Sequence, residues 1–283
     1  MSARRLAAIA TLVALLGATA CSPADEKEPA AADAGCAKDK LTLVTKGKLT
    51  IGTDKPAYAP WFVDDEPSNG KGFESAVAYA VAEKLGFGKD EVAWTVVPFN
   101  NAIAPGAKKF DFDLNQVSIS DERKGAVDFS SGYYEVRQAL IALKTSKIAG
   151  ATTVAELKGA KLGAQVGTTS LDLITEEVAP SEKPATYPRN DLAKLALKNG
   201  QVDGIVVDLP TAFFITSAEV PEAKIVGQFA VNAGIAEEFG AVLDKGSALT
   251  SCVTTAVDAL KADGTLAKIE QQWLAEAGAP VLK

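Results

Sequence analysis

Histidine is absent from this 283-residue chain, and methionine occurs only once. The chain therefore lacks the commonest metal ligand of proteins and the usual base of a serine or cysteine nucleophile. Its three cysteines lie far apart, at positions 21, 36 and 252, and this spacing does not fit a zinc site. We expect neither a metal site nor a cofactor, and no nucleophile–base catalysis.

Basic residues are also scarce, with 29 against 36 acidic ones and a formal net charge of −7. Cleavage of an N-terminal segment holding Arg4 and Arg5 would remove two positive charges from −7 and leave −9. Nucleic-acid binding needs patches of Lys and Arg that neutralise phosphates. We therefore expect no nucleic-acid partner and no electrostatic attraction to an anionic membrane surface.

One apolar run stands out, from Leu6 to Ala20, directly after Arg4 and Arg5. It is shorter than the roughly 20 apolar residues that a spanning helix needs. A basic start, an apolar middle and small residues at the end are typical of a signal peptide, which we assign to residues 1–20. The stretch LGATAC resembles a bacterial lipobox, which implies a lipid on Cys21. The alternative is ordinary secretion with Cys21 unpaired or removed.

The residues after this run have the composition of a linker. Residues 21–40 are rich in Ala, Pro, Asp, Glu and Lys and nearly free of large apolar side chains, so we expect a lipidated, disordered tether. If Cys21 carries a lipid, Cys36 and Cys252 remain, and an exported chain favours a disulfide between them. Two free, partly buried thiols are the alternative.

Strand-like and helix-like segments alternate after the tether. KLTIGT, VAWTVV and DFDLNQVSI have the pattern of strands in the first half, and QALIALK, KLGAQVG, GIVVD, KIVGQ and GAVLDK in the second. Between them, Phe73, Val77, Val81 and Leu85 share one helical face. This alternation predicts an α/β fold of two lobes, each with a mainly parallel sheet. Ligands bind outside the carboxyl ends of parallel strands, so the residues there become the candidates.

The first candidates follow the strand KLTIGT. The segment GTDKPAYAPWF contains the carboxylate of Asp54 and the aromatic rings of Tyr58, Trp61 and Phe62. Aromatic rings can wall a pocket for a small ligand. The alternative is that Trp61 and Phe62 belong to the core, whereas Tyr58 lies in a proline-rich loop.

Ser118 lies at the end of the strand DFDLNQVSI, and Arg123 follows it. A guanidinium matches a carboxylate through two parallel hydrogen bonds, and a hydroxyl adds a further donor. The alternative for Arg123 is an ion pair with Asp121 or Asp128.

The second half supplies Thr168 and Thr169 in the turn VGTTS, and Asp208 at the end of GIVVD. Backbone N–H groups and hydroxyls at a strand-to-helix turn can bind an anion, and Asp208 can accept from an ammonium group. The alternative for each is a helix cap. Together with Arg123, these groups have the outline of a site for a free amino acid.

From about Leu41 onward the chain resembles the polar amino-acid family of extracytoplasmic solute-binding proteins of ABC importers, family 3. Four blocks carry the resemblance: GTDKPAYAPWF, SISDERKGAVDFSSGYY, the triplet GTT, and Asp208 after an apolar strand. It implies a two-lobed, type II periplasmic-binding-protein-like fold with hinge closure. Lobe I would comprise residues 41–132 and 239–283, and lobe II residues 138–234.

The resemblance also implies roles for the candidates. Arg123 would clamp the ligand α-carboxylate with Ser118 and Thr169, Asp208 would hold the α-ammonium group, and Tyr58 would stack on the ligand. The full set of expected ligand contacts is Asp54, Tyr58, Trp61, Phe99, Ser118, Arg123, Gln165, Thr168, Thr169 and Asp208.

The implied function is a non-enzymatic, monomeric receptor, lipid-anchored outside the cytoplasm, that hands a polar amino acid to an ABC permease. The alternatives are a dehydratase-like enzyme on the same fold and a sensing module for a signalling partner. We expect glutamine-like side chains first, basic ones second and acidic ones last, because the candidate set contains no second cation.

Overall fold

The structure is a computed structural model that describes residues 35–230, 237–274 and 279–283. The predicted signal peptide, the predicted lipidation site at Cys21 and most of the predicted tether lie outside these residues. Among the helices described, none combines the length and apolar character needed to cross a membrane.

The strands are short, as expected for compact α/β lobes. They are β1 (Leu49–Thr53), β2 (Val92–Val96), β3 (Phe112–Asp113), β4 (Val127–Val136), β5 (Gln138–Leu143), β6 (Leu162–Gln165), β7 (Ala185–Tyr187), β8 (Gly204–Asp208), β9 (Ala223–Gln228) and β10 (Glu237–Asp244). The α-helices are α1 (Phe73–Lys84), α2 (Phe99–Ile103), α3 (Asp121–Lys124), α4 (Thr169–Leu173), α5 (Asn190–Lys198), α6 (Leu209–Phe214), α7 (Thr250–Ala262) and α8 (Thr265–Trp273).

Each lobe is built on one five-stranded mixed sheet. Lobe I has the strand order β2-β1-β3-β10-β4, in which β10 runs antiparallel to both neighbours. Lobe II has the order β7-β6-β8-β5-β9, in which β5 runs antiparallel to both neighbours. The other pairs are parallel, so the predicted two-lobed α/β fold is confirmed. The chain crosses between the sheets at Arg137 and again between β9 and β10.

Helix α1 covers the sheet of lobe I with the face that the sequence predicted. Phe73, Val77 and Val81 are at most 2% exposed and belong to the core of this lobe. Gly72 precedes the helix with a φ of +99°, and a Cβ there would lie 2.4 Å from the carbonyl oxygen of Trp61. Only glycine fits this approach without a shift of the backbone.

A disulfide joins Cys36 to Cys252 on α7, so the predicted pairing is confirmed and the free-thiol alternative is wrong. Nearby, Lys38 Nζ lies 2.6 Å from a carboxylate oxygen of Glu91. The predicted end of the tether at Lys40 is too late, because the disulfide and this ion pair already hold the chain on lobe I.

The strand predicted for DFDLNQVSI is regular only at Phe112–Asp113. Gln116 has a φ of 50°, and its backbone N–H donates to the buried carboxylate of Glu74 at 2.7 Å. The chain therefore leaves the ladder at this point and rejoins it as an isolated bridge between Ser118 and Phe239. Burial raises the pKa of Glu74 to about 7.

Two helices of the second lobe have distinctive ends. Helix α4 ends at Leu173, and the chain continues as a π-helical turn, Ile174–Val178, with both end residues buried. Helix α5 begins at Asn190, with Arg189 as its N-cap.

The final residues pack on lobe II. Leu282 belongs to a core cluster of this lobe, and the backbone N–H of Val154 donates to the carbonyl oxygen of Lys283 at 2.9 Å. The assignment of residues 239–283 to lobe I is therefore wrong for residues 279–283, because burial of Leu282 draws them onto the second sheet.

Candidate binding cleft

A cleft of about 470 Å³ lies between the lobes, where the predicted strand ends meet. The lining residues are Asp54, Tyr58, Phe99, Asn115, Gln116, Ser118 and Arg123 from lobe I, and Gln165, Thr168, Thr169, Ser170, Asn190, Val207 and Asp208 from lobe II. Every predicted ligand contact lines this cleft except Trp61.

Trp61 is a core residue, so its prediction as a ligand contact is wrong. Its side chain is 0% exposed. Its ring packs edge-to-face against those of Tyr134 and Phe239, with 5.5 Å between the ring centroids in each pair. Its Nε1 donates to Thr211 Oγ1 of lobe II at 2.8 Å. A ring of this size buries more apolar area in the core than in a partly solvated cleft, and the hydrogen bond satisfies its one polar group.

Arg123 is 9% exposed, and its guanidinium reaches both lobes. Nη1 donates to the carbonyl oxygen of Ser118 at 2.7 Å, and Nη2 donates to that of Gly167, in lobe II, at 2.9 Å. The guanidinium carbon lies 5.6 Å from the centroid of the Phe99 ring, within the reach of a cation–π contact. A guanidinium carries more N–H donors than two carbonyls accept, so it can also bind an anion.

The two aspartates named as alternative partners of Arg123 pair with lysines. Lys124 Nζ lies 3.2 Å from Asp121 Oδ1, and Lys245 Nζ lies 3.1 Å from Asp128 Oδ1. The guanidinium of Arg123 contacts cleft residues instead, which excludes the alternative of a local ion pair with either aspartate.

Two hydroxyls meet across the cleft, that of Ser118 from lobe I and that of Thr169 from lobe II, with 3.4 Å between their oxygens. Both donate to the same oxygen, Oε1 of Glu237, and the distance from Thr169 Oγ1 is 2.6 Å. The carboxylate of Glu237 therefore joins a hydroxyl of each lobe.

Asp208 ends β8 on the lobe II side of the cleft. Its Oδ1 accepts from Gln138 Nε2 at 2.9 Å, and the same nitrogen lies 3.3 Å from Glu237 Oε2. Gln138 is held in turn by Ser170, whose hydroxyl donates to Gln138 Oε1 at 2.5 Å. Burial, reinforced by the nearby charge of Glu237, raises the pKa of Asp208 to about 8.

Asp54 and Tyr58 line the cleft from the segment after β1. Asp54 accepts from the backbone N–H of Lys55 at 2.6 Å and from that of Phe99 at 3.3 Å, while burial raises its pKa. The hydroxyl of Tyr58 donates to Asp191 Oδ1 in lobe II at 3.1 Å. Tyr58 therefore contacts the opposite lobe as well as lining the cleft.

Gln165 and Thr168 line the cleft from the end of β6 and the start of α4. The hydroxyl of Thr168 donates to the carbonyl oxygen of Gln165 at 2.7 Å and accepts from the backbone N–H of Leu171 at 3.3 Å. The helix-cap alternative is thus confirmed for Thr168.

Among the described ranges, no group of three or more Cys, Asp or Glu side chains is placed to hold a metal ion.

The two-lobed fold has a cleft lined by charged and polar side chains. It agrees with a match between this sequence and a known protein family. Residues 49–276 match the family described as bacterial extracellular solute-binding proteins, family 3. This chain belongs to that family. The matched segment includes every strand of both sheets, so the expected family and fold are confirmed.

Several relatives of this solute-binding protein are named for the amino acids that they bind. The L-cystine-binding protein TcyJ of Escherichia coli K12 is 29% identical over 241 residues, which cover 84% of this chain and 85% of TcyJ. The ABC transporter arginine-binding protein 1 of the same organism is 31% identical over 210 residues, covering 71% of this chain and 81% of the relative. An ancestral arginine-binding protein bound to glutamine matches with a TM-score of 0.69 and 32% identity over 82% of this chain and 100% of its own.

Sequence analysis of this solute-binding protein missed Gln138 and Glu237. The predicted site residues lie after the carboxyl ends of strands, whereas β5 and β10 run antiparallel to their neighbours. An antiparallel strand brings its first residue to the edge where its neighbours end, and Gln138 is accordingly paired with Asp208. For Gln138 the available signal was a polar residue directly before the apolar run of QALIALK. In EEFGAVLDK two glutamates precede the run, and the sequence does not distinguish Glu237 from Glu238.

Proposed function

We propose that this solute-binding protein is a receptor for a free amino acid. An amino acid carries a carboxylate and an ammonium group on one carbon atom. Arg123, Ser118 and Thr169 provide donors for the carboxylate, and Asp208 provides an acceptor for the ammonium group. The observation that carries the proposal is this donor set opposite the Asp208 carboxylate in one cleft. Because the groups belong to both lobes, ligand contacts would favour the closed arrangement.

For the side chain, we place cationic amino acids first and glutamine-like ones second. Arg123 and Asp208 balance the charges of the ligand backbone. Asp54 is a further carboxylate in the lining, and the carboxylate of Glu237 bonds the cleft hydroxyls of Ser118 and Thr169. A cationic side chain offsets this charge, whereas an amide only donates hydrogen bonds. This order reverses the sequence-based one, which lacked Glu237. The relatives named for arginine and the structure bound to glutamine support these two classes.

We also propose that Cys21 carries a lipid that holds the receptor at the membrane, and that the receptor delivers its ligand to an ABC permease as a monomer. The lipobox-like LGATAC supports the anchor. The relative named as an ABC transporter arginine-binding protein supports delivery. The relatives named as binding proteins favour binding over the dehydratase-like alternative.

A thermal-shift screen of the chain from Ser22 against the standard amino acids tests the receptor proposal. A ligand that binds only the native state stabilises it by about 2.7 kcal/mol at about 100 times its Kd. We expect the largest rise in unfolding temperature with arginine or lysine. A rise with glutamine alone would assign the amide class instead, and no rise with any amino acid would contradict the receptor.

The affinity should depend on pH through Asp208. Only the ionised carboxylate holds an ammonium group, and burial raises the pKa of Asp208 to about 8, so protons compete with the ligand below that pH. We expect arginine affinity to rise as the pH increases from 6 to 8, by up to about tenfold for each pH unit. Calorimetry in two buffers of different ionisation enthalpy should show proton release on binding at pH 7. Affinity that is flat, or that falls, over this range would contradict the role of Asp208.

A further inference from the structure

Glu237 holds the two hydroxyls that the proposed site needs for its ligand. Its Oε1 accepts from Ser118 Oγ and from Thr169 Oγ1, the latter at 2.6 Å. Its Oε2 lies 3.3 Å from Gln138 Nε2, the same nitrogen that bonds Asp208. A carboxylate of the chain is thus seated where donors from both lobes converge.

The hydroxyl donors cannot serve two carboxylates at once. A hydroxyl has a single proton to donate, so a hydrogen bond to Glu237 removes that donor from any other anion. Two carboxylates brought to one set of donors also repel each other. A ligand carboxylate at Ser118 and Thr169 therefore requires Glu237 to give up these hydrogen bonds.

We propose that Glu237 is an internal competitor for the carboxylate subsite and so a determinant of affinity and selectivity. The proposal rests on the proposed function, in which Arg123, Ser118 and Thr169 bind the ligand α-carboxylate. Glu237 makes the same bridge between a lobe I hydroxyl and a lobe II hydroxyl that the ligand carboxylate would make. Binding of an amino acid exchanges the internal carboxylate for that of the ligand, which lowers affinity for every ligand that carries one.

The neighbouring Glu238 provides a matched control. Its Oε1 lies 3.6 Å from Lys261 Nζ, and its side chain packs over Gly132, on the opposite face of β10. Glu238→Gln removes the same charge one position along the same strand. A general effect of lost negative charge would appear in both variants, whereas competition at the hydroxyls would appear only in Glu237→Gln.

The test compares arginine with agmatine, its decarboxylated counterpart, by calorimetry on the chain from Ser22. Agmatine retains both cationic ends and lacks the carboxylate. We expect Glu237→Gln to raise the ratio of arginine affinity to agmatine affinity about tenfold, which corresponds to about 1.4 kcal/mol. Glu238→Gln should leave the ratio at the wild-type value. If glutamine gives the larger thermal shift, glutamine and 4-aminobutanamide form the equivalent pair.

The outcomes separate this proposal from the receptor proposal. Suppose that the wild type binds arginine but that the ratio of arginine affinity to agmatine affinity in Glu237→Gln is unchanged or lower. This result would overturn the competitor role and leave the receptor proposal standing. Equal weakening of both ligands would show that Glu237 binds the cation and would also overturn the proposal. If none of the three proteins binds an amino acid, the receptor proposal is contradicted, and the competitor proposal with it. Unfolding temperatures without ligand verify that all three proteins are folded.

Discussion

Replacing Arg123 with alanine should weaken amino-acid binding at least about 100-fold, or about 3 kcal/mol. The guanidinium is the positive charge among the cleft-lining residues, and it lies between the carbonyl oxygens of Ser118 and Gly167. Truncation leaves the ligand carboxylate in a partly buried place without a counter-charge. Calorimetry with arginine and with glutamine measures the loss for both classes of side chain.

Two further variants show whether geometry or charge carries this effect. Lys124→Ala removes a neighbouring cation whose Nζ pairs with Asp121 at 3.2 Å, so we expect binding near the wild-type level. Arg123→Lys keeps the charge but loses the planar pair of donors, and should recover only part of the affinity. Wild-type affinity in Arg123→Ala would refute the assigned role, provided that the unliganded variant unfolds as cooperatively as the parent.

Removing the disulfide should have the largest effect on stability. The bond joins Cys36 to Cys252 across a sequence separation of 216 residues, and it ties the start of the folded chain to α7. Cross-links of long loops restrict the unfolded chain strongly, and their loss from native proteins typically costs about 2–5 kcal/mol. We expect the double variant Cys36→Ser, Cys252→Ser to lose that much free energy of unfolding in a urea titration.

Reduction of the wild type provides the matched control for this variant. Dithiothreitol should bring the wild-type free energy of unfolding down to that of the double variant and leave the variant itself unchanged. Equal stability of oxidised wild type and variant would show that the disulfide contributes nothing. Amino-acid affinity should change little in the variant, since the bond lies outside the cleft lining.

Much of the fold and of the site could be predicted because the signals are local. Alternating apolar residues give a strand, a 3.6-residue period gives a helix, and the residue after a buried strand lies at the edge of its sheet. Asp54, Thr169 and Asp208 were located by that reasoning, and all three line the cleft. The same rule failed for Trp61, because a residue in a loop after a strand can turn either to the cleft or to the core.

The sequence by itself determined the α/β class, the family and the pairing of the two cysteines, and it located most of the residues of the proposed amino-acid site. Each of these depends on short-range periodicity, composition or a motif. Only the tertiary structure decided that Trp61 belongs to the core, that residues 279–283 belong to lobe II, and that Glu237 meets Ser118 across a separation of 119 residues. Contacts of this kind arise from antiparallel pairing and from the approach of two lobes, and no local pattern encodes them.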